Sequence, residues 1–199
     1  MFQDKKEIEK ILSALGEQLE ALNATVPELV VCGGSALNVL GLVKRATKDV
    51  DVVAFTERNS AGNIHLKKAE PFPRELDTAS QKVARDFNLP EKWLNPGPTS
   101  VVDFGLPEGL MNRVETRAFG KYLTVHFLSR YDPICFKLYA SVDQGMGKHY
   151  NDLLLLEPDA KELEEAARWS MTHDVSENFR QSVKELLIHM GHKDVAERF

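Results

Sequence analysis

The chain reads as an α/β (α+β) protein, a small mixed sheet flanked by helices and followed by a C-terminal helical region. Three observations carry this reading. Ile8, Ile11, Leu12, Leu15, Leu19 and Leu22 recur at the three-and-four spacing of a helix with one buried stripe. Short apolar or β-branched runs, Leu29-Val30-Val31-Cys32 and Val50-Asp51-Val52-Val53-Ala54-Phe55, interleave with helical patterns in the first part of the chain. Beyond Asp132 every pattern is helical.

In order, the spacing predicts a helix over 4–23 and a buried strand over 28–32 that ends at Gly33-Gly34. A short helix is expected over 35–42, and a strand over 49–55 whose acidic start emerges at a polar rim. Residues 57–73, with Asn, Ser, Gly and two prolines, read as a long loop, and Leu76, Ala79, Val83, Ala84 and Phe87 mark a helix over 74–87. Pro90, Pro96, Gly97, Pro98 and Gly105 leave room only for a brief strand over 100–104, and a clearer strand is expected over 121–128. Four helices follow, over 133–142, 148–156, 158–172 and 176–196. The expected division is a core over 1–131 and a helical C-terminal region over 132–199 packed on it.

Composition narrows the function classes. With 199 residues, 43% hydrophobic and 28% charged, the chain can bury a core and carries no bias toward disorder. No apolar run reaches the roughly 18 residues of a membrane helix, and the N-terminus lacks a secretory apolar stretch, so a cytoplasmic protein is expected. Two cysteines, Cys32 and Cys135, are too few for a disulfide framework or a zinc site. A net charge of −5 argues against a general polyanion-binding surface, although Lys44-Arg45-Ala46-Thr47-Lys48 offers a local basic stretch to a phosphate chain.

The chemistry concentrates in Val31-Cys32-Gly33-Gly34-Ser35 and in Asp49-Val50-Asp51. A strand passing through two glycines into a helix leaves free backbone N–H groups and room for phosphate oxygens. Ser35 is expected to cap that helix and to offer its hydroxyl to a phosphate. Asp49 and Asp51, two apart on a strand, project from one face and need a counter-charge. Hard oxygen ligands of this kind suit Mg²⁺, which takes one or two carboxylates together with waters and substrate phosphates. Each half alone has an ordinary alternative, a plain loop for the glycines and solvated polar capping for the acids; the two in this order and separation are much less readily an accident. The dinucleotide fingerprint is not met, because Gly33-Gly34-Ser35-Ala36-Leu37-Asn38 lacks G-x-G-x-x-G.

On these residues the chain resembles the DNA polymerase β-like nucleotidyltransferase superfamily, whose mark is a Gly-Gly/Ser turn followed by Asp-x-Asp on the next strand. Arg45-x-Thr47-x-Asp49-x-Asp51, Asp132-Pro133-Ile134-Cys135-Phe136-Lys137-Leu138-Tyr139-Ala140 and Lys148-His149-Tyr150-Asn151-Asp152-Leu153 are similar to the small bacterial branch that includes abortive-infection toxin-type transferases. The resemblance implies a nucleotidyltransferase fold that moves a nucleoside monophosphate from an NTP to a hydroxyl on RNA, protein or a small molecule, with Mg²⁺ as cofactor. A toxin role with an antitoxin partner would follow. It further implies that Gly33, Gly34 and Ser35 hold the triphosphate, that Asp49 and Asp51 hold metal, and that Lys137 reaches phosphate oxygens. Asp152 would act as an accessory acid or anchor Lys137, and Arg45 would pair with carboxylates or phosphates.

Two departures stand out. The third carboxylate of the superfamily has no clean match, its nearest candidates being Asp103 and His126, and His149 replaces the usual acid of a Lys-Asp pair. That third acid commonly serves as base for the incoming hydroxyl. The alternative functions are therefore a degenerate transferase that binds nucleotide or a partner without turnover, and a structural domain whose acidic pair holds Ca²⁺ or nothing.

Overall fold

Asp4 opens the first helix. In the computed structural model, which describes residues 2–43, 46–59 and 63–199, its side chain accepts the Glu7 backbone N–H at 3.0 Å and starts α1 (Lys5–Ala21). Such a cap is worth roughly 1 kcal/mol. The buried stripe of α1, Ile8, Ile11, Leu12, Leu15 and Leu19, joins one hydrophobic cluster with Leu29, Val31, Val125 and Phe127 of the sheet. Gly16 also lies on this buried side, and a Cβ there would stand 2.0 Å from the Phe119 carbonyl oxygen.

The chain divides into two compact units, Met1–Ser129 and Arg130–Phe199. Among its described residues the first is built on six strands: β1 (Leu29–Cys32), β2 (Val50–Arg58), β3 (Ile64–Lys68), β4 (Leu94–Asn95), β5 (Glu115–Ala118) and β6 (Thr124–Phe127). Their order is β3-β2-β1-β6-β5, with β4 also pairing β2. The sheet is mixed, because β1 runs antiparallel to β2 but parallel to β6, and β2 runs antiparallel to β3 but parallel to β4. Asp51 lies opposite Cys32 of β1 and also opposite Asn95 of β4, so β4 must occupy the edge of β2 away from β1. Helices α2 (Gly33–Val39) and α3 (Arg74–Asp86) complete the unit. The small mixed sheet with flanking helices is the expected fold class.

The boundaries differ from expectation where polar edges or prolines hide the pattern. Within 57–73, read as a loop, β2 continues to Arg58 and β3 pairs back onto it. Ile64-His65-Leu66-Lys67-Lys68 is almost wholly exposed, so it has no buried face to print an alternation; ladder hydrogen bonds hold it, and its lysines keep the edge polar. Residues 99–104 form a 3₁₀ helix rather than a strand, opened by Pro98, with Val101 N–H donating to the Pro98 carbonyl at 3.2 Å. The strands β4, two residues long beside Pro96, and β5, polar Glu115-Thr116-Arg117-Ala118, gave no readable period. α2 begins at Gly33, two residues before the expected start.

The second unit is helical: α4 (Tyr131–Asp143), α5 (Lys148–Leu155), α6 (Ala160–His173), α7 (Glu177–His189) and α8 (Lys193–Ala196). A capping box joins Asp159 and Glu162 at the start of α6. Phe136, Tyr139, Trp169, His173 and Phe179 form a ring cluster across α4, α6 and α7. The single helix expected over 176–196 is two, because Gly191 at φ +87° turns the chain between α7 and α8. Among the described residues no helix is long and apolar enough to cross a membrane.

Candidate functional site

The site begins where β1 ends. All four residues of β1 are buried, and after Cys32 the chain turns through Gly33 at φ +73° directly into α2. Two independent reasons demand glycine here. The backbone is in the left-handed region that side chains avoid, and a Cβ would lie 2.3 Å from Asp51 Oδ2. The Asp51 carboxylate therefore faces the glycine bend at a range only a bare Cα permits.

Strand register explains why these two meet. Cys32 and Asp51 are direct partners on antiparallel β1 and β2, and Asn95 of β4 lies opposite Asp51 on the other edge. Cys32, Asp51 and Asn95 thus form one row across the sheet, with side chains on the same face. The Asn95 Nδ2 donates to Asp51 Oδ1 at 3.2 Å, and Asn95 Oδ1 accepts the Gly97 N–H at 2.9 Å. Asp49 stands just before β2, where the Thr47 hydroxyl donates to its Oδ1 at 3.2 Å. Both aspartates are half-buried, reachable by a ligand yet partly withdrawn from water.

Ser35 is placed differently from expectation. It is fully buried in the first turn of α2 rather than at its cap, and its hydroxyl donates to the Cys32 carbonyl at 3.4 Å, so no side chain caps the helix. The reason is that the helix starts at Gly33, which moves the cap position back to Cys32. Gly34 is buried beside it, and its carbonyl accepts from Asn38 Nδ2 at 3.1 Å. Arg45 lies outside the described residues.

The two third-acid candidates are engaged elsewhere. Asp103 sits in the 3₁₀ helix and pairs with Lys68 at 2.5 Å. His126 lies opposite Val30, two residues before Cys32, where Nε2 meets Glu28 Oε2 at 2.8 Å and Nδ1 meets the Thr116 hydroxyl at 2.7 Å. The residue that shares a row with Asp51 is Asn95, which sequence reasoning missed. Its only signal was Trp93-Leu94-Asn95-Pro96-Gly97, an apolar pair running into a turn. Among the described residues no group of three or more His, Cys, Asp or Glu could hold a metal.

Within the second unit, Lys137 on α4 and Asp152 on α5 form an ion pair at 2.8 Å, both buried, and Lys137 Nζ lies 3.3 Å from His149 Nδ1. Helical spacing brings His149 and Asp152 to one face of α5, which is why a single lysine reaches both. Asp132, which the sequence places just before the expected helix over 133–142, is fully buried in the first turn of α4.

The model of a family described as "nucleotidyltransferase of unknown function (DUF6036)" matches residues 10–194. The chain belongs to this family. Neither a curated protein nor a solved structure matches it. For a nucleotidyltransferase the substrate is a nucleotide. The glycine bend with its facing carboxylate sets backbone donors without side chains beside a hard oxygen acceptor, the groups that polyphosphate and its cation seek.

Proposed function

We propose that this nucleotidyltransferase transfers a nucleoside monophosphate from a nucleoside triphosphate, ATP being the first to test, to a hydroxyl on RNA, a protein or a small molecule in the cytoplasm. The observation that carries this reading is the approach of Asp51 Oδ2 to Gly33, which puts a carboxylate and a bare backbone bend side by side. Polyphosphate needs both, because its oxygens seek N–H donors while its charge needs a cation held nearby.

Asp49 and Asp51 would hold Mg²⁺. The donor set fits, since Mg²⁺ binds through one or two carboxylates and leaves its other positions to waters and phosphates. Bound there, the cation would neutralise charge developing on the transferred phosphoryl group. Backbone N–H groups at Gly33 and Gly34 would orient the chain of phosphates, with Ser35 fixing the bend through Cys32 rather than reaching outward. The resemblance alone assigns Lys137 to phosphate oxygens; its 2.8 Å pair within the second unit supports Asp152 as the anchor of its ammonium group. Arg45 would add a second cation. The resemblance of Arg45-x-Thr47-x-Asp49-x-Asp51 to the toxin-type branch supports a toxin neutralised by an antitoxin partner.

The test is calorimetric titration with ATP, GTP, CTP and UTP, each with and without Mg²⁺. Mg²⁺-dependent binding lost in Asp51→Ala is expected; metal-independent binding, or none, overturns the reading. Labelled nucleotides incubated with total RNA and cell lysate should then yield a labelled acceptor. A second reading, nucleotide binding without turnover, is favoured by one observation: the β4 neighbour of Asp51 is the neutral Asn95, not an acid that could take a proton from the incoming hydroxyl. Metal-dependent binding with no labelled product from any nucleotide would select it.

A further inference from the structure

We propose that Asn95 is a positioning residue of this site, fixing which oxygen of Asp51 faces the glycine bend. The inference rests on the cation-binding role proposed for Asp51, and it starts from the two bonds of one carboxamide. Asn95 Oδ1 accepts the Gly97 N–H at 2.9 Å. That bond determines the orientation of the amide, since only the oxygen can accept, and so the NH₂ group is turned toward β2. There it donates to Asp51 Oδ1 at 3.2 Å.

The consequence is a division of labour between the Asp51 oxygens. Oδ1 is held by Asn95, and Oδ2 is the oxygen that a Cβ on Gly33 would meet at 2.3 Å. A carboxylate free to rotate would present either oxygen, or both, to the bend; one tethered at Oδ1 presents Oδ2. Gly97 is part of the device. A Cβ there would come within 2.8 Å of Asn95 Oδ1, so a side chain at 97 would push the carboxamide out of the orientation that holds Asp51. The Asn95-Pro96-Gly97 turn thus sets the ligand geometry two strand-widths from the glycine bend, through a residue that is not itself acidic.

Asparagine at this position also sets the charge of the site. An aspartate would keep the Gly97 bond, because its oxygen can still accept, but would replace the donor to Asp51 with a second acceptor and one more negative charge. Asn95→Asp therefore separates the two roles of the side chain. If Asn95 only closes the turn, Asn95→Ala binds cation as wild type does; if it holds Asp51, Asn95→Ala weakens binding, while Asn95→Asp adds a ligand charge beside Asp51 that outweighs the lost donor.

The experiment is titration of the full chain with Mn²⁺ alone, read by the electron paramagnetic resonance signal of the free ion, with thermal unfolding of each variant as a control on folding. Residues that orient a ligand carboxylate typically alter metal affinity by 10–100-fold. Asn95→Ala is expected to weaken Mn²⁺ binding by about tenfold, Gly97→Ala to weaken it in the same direction, and Asn95→Asp to tighten it. Wild-type affinity in both Asn95 variants, with Asp51→Ala abolishing binding, overturns the role of Asn95 while leaving the proposed function standing. Unchanged binding in Asp51→Ala overturns both.

Discussion

A methyl group on Gly33 would lie 2.3 Å from Asp51 Oδ2, closer than non-bonded atoms approach, so the bend and the carboxylate are shaped to each other. Gly33→Ala should therefore fail twice. It places a side chain at φ +73°, and it pushes the carboxylate aside. Gly41 supplies the control, because it has the same φ of +73° with nothing within 4 Å of its would-be Cβ. Both variants should lose roughly 1–3 kcal/mol to backbone strain. Only Gly33→Ala should also lose nucleotide affinity, by about tenfold or more. Calorimetry of both variants beside their melting curves separates the two effects, and equal losses of affinity would show the Asp51 approach to be irrelevant to binding.

Gly16 predicts an inverted helix propensity. In an exposed helix interior, glycine to alanine stabilises by about 1 kcal/mol. Here the added methyl would stand 2.0 Å from the Phe119 carbonyl oxygen, a backbone atom in the connection between β5 and β6 that is itself held by the Phe119 N–H to Leu123 carbonyl bond at 2.8 Å. Neither side can yield cheaply, since α1 is locked by its leucine stripe. Gly16→Ala should destabilise by roughly 1–3 kcal/mol in urea unfolding, as overpacked cores do. A stabilised variant would mean that α1 does not approach the sheet this closely.

How much of this was legible follows from where the side chains point. α1, α3, β1 and the start of β2 bury a face or both faces, so their periodicity is written in Ile, Leu and Val and could be read directly. The Gly33–Asp51 pairing was legible in kind, because a glycine turn after a buried strand and acids two apart on the next strand are both local patterns. Asn95 was not. It reaches Asp51 from 44 positions along the chain through a two-residue strand, and nothing local distinguishes it from any asparagine before a proline. β3 and β5 were silent for a related reason: exposed edge strands are held by backbone hydrogen bonds, which leave no mark on side-chain type. Asp103 and His126 attracted attention as titratable groups on or near expected strands, yet pairing with Lys68 and with Glu28 is a tertiary fact.

Lys137 and Asp152 make a buried pair whose halves should not be separable. Lys137 is 8% exposed and Asp152 1%, so deleting either leaves a charge with little water to receive it. Asp152→Ala should cost roughly 3–5 kcal/mol, the range for breaking a buried pair on one side. Replacing both, as Lys137→Met with Asp152→Leu, should recover most of that loss, because the desolvation of two ions is removed together. Chemical denaturation of the single variants Lys137→Met and Asp152→Leu and of the double variant that combines them completes the cycle. If the double variant loses the sum of the single losses, the pair is not coupled and Asp152 is not the anchor of Lys137.

Acid should find a specific weak point at Glu28. Burial by itself would raise its carboxyl, but hydrogen bonds from His126 and Thr56, with the charges of His126 and Arg58, outweigh burial and hold it below the ordinary value of 4.5. A carboxyl whose folded-state value is depressed binds its proton more readily in the unfolded chain. It therefore contributes stability above the unfolded value, and that contribution is lost as pH falls below 4.5 and through the folded value. Glu28→Gln removes the titration while keeping an oxygen that can accept from the Thr56 hydroxyl, which donates to Glu28 at 3.1 Å in the wild type. The variant should be less stable than wild type near neutral pH, and the gap should narrow on acidification from about pH 5.5 to about pH 3.5. Urea midpoints of both proteins across that interval provide the measurement. A gap that stays constant, or widens toward acid, would mean that Glu28 carries no depressed carboxyl and that its hydrogen bonds with His126 and Thr56 do not favour the ionised form in the folded state.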